Sequence, residues 1–129
     1  MGKWKLEDCE MSMQFEDLEA WKQARLLAKT VYEMTSLPLL SKNFRLCSQI
    51  QAASVSVMSN IAEGFERTGK AEKLHFYNIA RSSCGEVRSQ LYVIEDVYVR
   101  ASATAKQIRE QAVSTGRLIS GLIASTSKR

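Results

Sequence analysis

An all-α fold is predicted: one domain, an antiparallel up-down-up-down four-helix bundle. Three observations predict it. Between Phe44 and Leu91 apolar residues recur every third or fourth position, the spacing of a buried helix face. One proline and six glycines in 129 residues leave little material for the turns of an all-β chain. The later breaks between periodic segments are short, which sets consecutive helices antiparallel. With 45 % hydrophobic and 25 % charged residues the composition is that of an ordinary globular domain, long enough to bury a core.

Residues 1–14 show no clear period and hold Met11 and Met13, either of which can serve as a start. They read as a loosely ordered arm before a bundle at 15–126, with 127–129 a basic tail. Phe15 precedes an acidic turn, Glu16, Asp17 and Glu19, which suits a helix N-terminus. In the first helix Trp21, Ala24, Ala28, Val31, Tyr32 and Thr35 share the inner face, and Leu26 points away from it. Ser36-Leu37-Pro38 ends it, because proline drives its predecessor out of the helical region. The link from Leu39 to Asn43 holds more leucine than a free loop needs and should pack along an end of the bundle.

The second helix is expected from Phe44 or Leu46 to about Glu66. Its stripe is Leu46, Ile50, Ala53, Val57 and Ile61, but Val55, Met58, Ala62 and Phe65 form a second apolar side. A helix apolar around most of its circumference is buried around most of it. A partner subunit covering Val55, Met58 and Ala62 would do this; so would a central position in a monomer, under the Leu39-Leu40 link. The homo-oligomer is the reading adopted. Gly64 beside the stripe costs about 1 kcal/mol relative to alanine, which a close backbone contact or an early helix end would explain. After the Thr68-Gly69 breaker, the third helix runs from about Ala71 to Tyr98, with Phe76, Ala80, Val87, Leu91, Ile94 and Tyr98 inside and Gly85 outside. The fourth, from Thr104 to about Ser125, turns Ile108, Ala112, Thr115, Leu118, Ile119 and Leu122 inward, and Gly116 and Gly121 make it the most prone to fray.

The candidate chemistry is thin. Asn60, Glu63 and Arg67 on the second helix, with Arg81, Ser83 and Glu86 on the third, sit in or beside the stripes and read as a structural polar network. Glu63 and Glu86 would suit an acid–base pair, but Arg67 and Arg81 nearby make a satisfied ion network the better account. Glu72-Lys73-Leu74-His75 is half of a di-iron bundle motif. The chain has one histidine, and the helical wheel turns it to solvent, so no metal or other cofactor is expected. Neither a Gly-x-Ser-x-Gly elbow nor a phosphate-binding glycine loop is present, and an enzyme is not expected. Cys9, Cys47 and Cys84 form no Cys-x-x-Cys pair, and the last two fall near apolar faces, as buried thiols of a reducing cytoplasm would.

The second and third helices carry a resemblance. Gln49-Ile50, Ala53-Ser54-Val55-Ser56, Asn60-Ile61-Ala62-Glu63-Gly64 with Arg67, and Ile79-Ala80-Arg81-Ser82-Ser83 with Glu86 resemble the four-helix-bundle family of 23S rRNA intervening-sequence proteins. Phe15-Glu16-Asp17-Leu18 with Trp21-Lys22 and Ala24 is similar to that family's opening. The likeness spans roughly Phe15 to Ile123; Arg45 and Leu39-Leu40 depart from the family pattern. It implies a bacterial homo-oligomer, commonly a five-fold ring, similar to retroelement accessory proteins that bind nucleic acid and a reverse transcriptase.

Charge placement points the same way. Residues 1–45 hold seven basic and seven acidic groups, and residues 46–98 hold five and six. Residues 99–129 hold six basic groups, Arg100, Lys106, Arg109, Arg117, Lys128 and Arg129, against Glu110 alone. Such a strip attracts polyanions by counterion release, although it would also suit a solvated face complementing the helix dipole. Lys106, Arg109, Arg117, Lys128 and Arg129, with Arg100 and Lys70 weaker candidates, are the expected phosphate contacts of a non-enzymatic oligomeric scaffold binding RNA or DNA. The competing expectation is a structural or protein-binding oligomer whose basic strip touches nothing.

Overall fold

Among the described residues the chain forms four long helices: α1 (Glu19–Met34), α2 (Phe44–Glu66), α3 (Lys70–Val97) and α4 (Ser102–Ser127). The computed structural model describes residues 13–129, so Cys9 and all of the proposed arm but Met13 and Gln14 lie outside the described residues. Single 3-10 turns at Phe15–Asp17, Leu40–Lys42 and Val99–Ala101 precede α1, α2 and α4. Among the described residues there is no strand, and the helices enclose one core.

Each boundary has a local cause. Acidic Glu16 and Asp17 lie in the turn before α1, and the Asp17 carboxylate accepts the Gln14 N–H at 2.8 Å. Pro38 follows the end of α1. Asn43 caps α2, its Oδ1 accepting the Leu46 N–H at 3.1 Å while its Nδ2 donates to the Tyr98 hydroxyl at 2.9 Å. One side chain therefore starts α2 and ties it to the end of α3. At the far end Arg67 pairs with Glu63 at 3.1 Å and Glu72 at 3.3 Å, and lies 4.8 Å over the Phe76 ring. That clamp spans the Thr68-Gly69 break.

The core is the expected stripes with two changes. Ile50, Ala53, Val57 and Ile61 of α2 meet Ala80, Cys84, Val87, Leu91 and Ile94 of α3, all buried. Tyr32, expected inside, is 49 % exposed, and Leu27 and Met34 fill its place. The wheel had turned the face of α1 by about one position. In α3 the fully buried aromatic is Tyr77, whereas Phe76 is half-buried. Tyr77 is drawn inward by Gly64: a Cβ built there would stand 2.6 Å from Tyr77 Cε1 and 2.8 Å from Cδ1. Since α2 continues to Glu66, close contact explains this glycine, not an early helix end.

The leucine-rich link divides its labour. Leu40 is buried against the core, while Leu39 is exposed with φ of 70°, a left-handed conformation rare outside glycine. Leu39, Phe44, Val97 and Val99 are exposed and make one end of the molecule apolar, and all of them but Phe44 line a cavity of about 450 Å³ together with Arg100.

Candidate nucleic-acid interface

The basic side chains of α4 cannot be described without α3, which it follows along its whole length. At one end Lys70 Nζ donates to the Arg129 carbonyl at 3.5 Å. Further along, Arg81 donates to Ser120 Oγ at 3.4 Å and to Asn78 Oδ1 at 2.9 Å. Near the middle Cys84 Sγ donates to the Ala112 carbonyl at 3.1 Å. At the other end Arg109 donates two hydrogen bonds to one Glu95 oxygen, at 3.1 and 3.3 Å, and lies 4.5 Å over the Tyr92 ring. Lys106 approaches the other Glu95 oxygen at 3.9 Å.

Two open cavities lie on this seam. The larger, about 390 Å³, has Arg81, Arg88 and Arg117 on its walls and Cys84, Gly85 and Gly116 among its small lining residues. The smaller, about 170 Å³, is lined by Lys70, Lys73, Arg129 and the Thr68 and Thr126 side chains. No lining residue of either is acidic. Lys73 also donates to the Phe65 carbonyl at 2.8 Å and the Gly64 carbonyl at 3.4 Å, closing the C-terminus of α2. Burial first, then the Arg129 charge, pull its pKa below the usual lysine value, against Glu66.

The six sequence-predicted cations are thus not equivalent. Arg117 and Arg129 line the cavities. Lys128 is exposed at the C-terminal end of α4. Lys106 and Arg109 are held by Glu95, whose side chain is only 15 % exposed, and hydrogen bonding to it raises the Arg109 pKa above its ordinary value. Arg100 sits at the opposite, apolar end and is no part of the seam. Sequence reasoning passed over Arg88 and placed Arg81 elsewhere. The available signal was their seven-residue spacing, two helical turns on one face.

The six-residue polar network is corrected: it is four separate groups. Ser56 and Ser83 share a 2.9 Å hydrogen bond between α2 and α3, with Asn60 donating to Ser56. Glu63 and Arg67 form the exposed clamp already described. Arg81 belongs to the seam, and Glu86 accepts from Gln90 at 3.3 Å. Glu63 and Glu86 are both exposed, so neither needs the buried partner that motivated a single network. His75 is exposed and edge-on to Phe76, and no group of three potential metal ligands occurs among the described residues.

Of the proposed interface residues, Val55 is 38 % exposed, while Met58 and Ala62 are half-buried and Met58 packs against the core. From Leu46 to Ala62 α2 has no charged side chain. Its outward positions there are Ser48, Gln49, Ala52, Val55 and Ser59.

The family model of the 23S rRNA-intervening sequence proteins matches residues 16–121. The chain belongs to this family. A crystal structure of an S23 ribosomal protein family member of unknown function from Bacteroides thetaiotaomicron has a similar fold. Its TM-score is 0.74 at 19 % identity, covering 81 % of this chain and 95 % of that one. No curated protein matches the chain. No helix among the described residues is long and apolar enough to cross a membrane.

The cavity floor makes the fold sensitive to alkali. Burial pushes the Cys84 thiol from 9.0 up to about 11, against Arg88 and a hydrogen bond from the Gly116 backbone. Burial also raises the Cys47 thiol and the Tyr77 phenol, Arg129 opposing the latter. These acids ionise in the unfolded chain before the folded one. The stability they contribute is present below about pH 9 and lost as pH climbs toward 11. The urea midpoint should therefore fall between pH 8 and pH 10.5, and C47A/C84A should show a shallower fall. An equal fall in both proteins would remove the thiols as its cause.

Proposed function

We propose that this family member is a non-enzymatic, homo-oligomeric scaffold binding RNA or DNA through its basic surface, with a five-fold ring as the expected assembly. The observation carrying this is charge placement: most of the excess of residues 99–129 lies on α4 and its C-terminal end, where Lys70, Lys73, Arg81 and Arg88 of α3 add cations and Glu95 offsets only Lys106 and Arg109. Repeated around a ring, a modest monomer charge binds a polyanion through many contacts at once.

The oligomer rests on α2. A solvent-facing helix ordinarily carries charge on its outer side, and interface cores are depleted of it. The uncharged outer face at Ala52, Val55 and Ser59 suits a copy of the chain packed against it. Neighbouring helices touch in opposite order: Asn43 with Tyr98, Ser56 with Ser83 and Gly64 with Tyr77 along α2 and α3. That order supports the up-down-up-down arrangement. A second reading, a scaffold for a protein such as a reverse transcriptase, is favoured by the apolar end at Leu39, Phe44, Val97 and Val99.

Light scattering on a sizing column at micromolar protein should give a multiple of 14.5 kDa. Val55→Glu should shift the protein to monomer by burying an unpaired charge in the contact. A wild-type monomer would end the ring. Anisotropy titrations with RNA and DNA at rising salt test the remainder, and absence of binding at low salt would leave the protein-scaffold reading.

A further inference from the structure

We infer that the α3–α4 seam is a phosphate-binding groove seating one phosphodiester strand on Arg81, Arg88 and Arg117, with Lys106 and Arg109 outside it. This rests on the nucleic-acid reading above and makes α3 an equal half of the site. Arg81 and Arg88 stand two turns apart on one wall, about 10.5 Å along the helix, and Arg117 faces the same 390 Å³ cavity from the other wall. The partners of Arg81, Asn78 and Ser120, are neutral: they orient the guanidinium without cancelling its charge. Neither Arg88 nor Arg117 forms an ion pair among the described residues. Guanidinium groups match phosphate oxygens with paired donors, and Gly85 and Gly116 keep the lining low where a backbone must approach.

The limits of the groove follow from its electrostatics. Toward the C-terminus of α4 the same seam holds a separate cavity with Lys70, Lys73 and Arg129, which gives a strand a second cationic stop. In the other direction Glu95 closes it. There Arg109 and Lys106 spend their charge on a half-buried carboxylate that would repel a phosphate. A charge count along the sequence weighs Lys106 and Arg117 alike; the groove separates them.

The test is anisotropy with a labelled single-stranded RNA 20-mer and a duplex of the same length, from 50 to 300 mM salt. R81Q/R88Q/R117Q should bind the single strand at least tenfold more weakly at the lowest salt. Its log–log salt slope should be shallower by about 2, at roughly 0.7 per lost phosphate contact. K106Q/R109Q should stay within about twofold of wild type. R88Q/R117Q guards against misfolding, since neither side chain makes a hydrogen bond among the described residues; it should lose about 1.4 of the slope. Wild-type affinity in that double variant would overturn the groove. If K128Q/R129Q alone weakens binding, nucleic-acid association stands and the groove falls. Tighter binding of the duplex would overturn the single-strand assignment. If wild type binds neither nucleic acid at 50 mM salt, the underlying reading fails with it.

Discussion

Gly64→Val should destabilise the fold by about 2–3 kcal/mol, while Gly85→Ala should stabilise it by about 0.5–1 kcal/mol. Both glycines lie inside helices, and a propensity scale treats them alike. Their surroundings differ. A Cβ at Gly64 meets the Tyr77 ring at 2.6 and 2.8 Å and the Lys73 backbone carbonyl at 3.2 Å. The ring is fully buried and cannot swing out, and the carbonyl belongs to α3 itself. Valine adds two further carbons to a space that will not take one, so α2 and α3 must separate. At Gly85 a Cβ meets nothing within 4 Å, and alanine simply removes the helical cost of glycine. In thermal unfolding, Gly64→Val should lower Tm by about 10 °C and Gly85→Ala should raise it by a few degrees. Gly64→Ala falls between them, its helical gain of about 1 kcal/mol set against the clash. An unchanged Tm in Gly64→Val would mean that the α2–α3 contact is looser than these distances require.

Glu95→Gln should strengthen nucleic-acid binding rather than weaken it. Glu95 is the carboxylate that ties down Lys106 and Arg109. Glutamine keeps the size and one acceptor oxygen but removes the charge, so both cations become available to phosphate and the net charge rises by one. Arg109 keeps its place over Tyr92. Two added phosphate contacts should steepen the single-strand salt slope by about 1.4. The same substitution in K106Q/R109Q should have a much smaller effect, which isolates the released cations as the cause. An unchanged slope in Glu95→Gln would place Lys106 and Arg109 beyond the reach of the strand even when free.

Helix α2 shows how much was legible from the residues alone. Its predicted limits, Phe44 or Leu46 to about Glu66, enclose the observed Phe44–Glu66 because periodicity, the Asn43 cap and the Thr68-Gly69 break all act within a few residues. Tyr77 marks the limit of that legibility. Phe76 and Tyr77 are adjacent and both aromatic, and the choice between them was made by a glycine on another helix. Glu63 and Glu86 erred likewise: their placement beside stripes suggested burial, but each lies far enough round its helix to reach water.

Local spacing, capping and charge density determined four helices, their order and a cationic last quarter, because those properties act within a turn or two of chain. Tertiary structure decided which cations are free. Arg81 and Arg88 lie in a segment whose acidic groups outnumber its basic ones, and only the packing of α3 on α4 sets them beside Arg117. Electrostatic effect depends on distance through space, which a count along the chain does not contain.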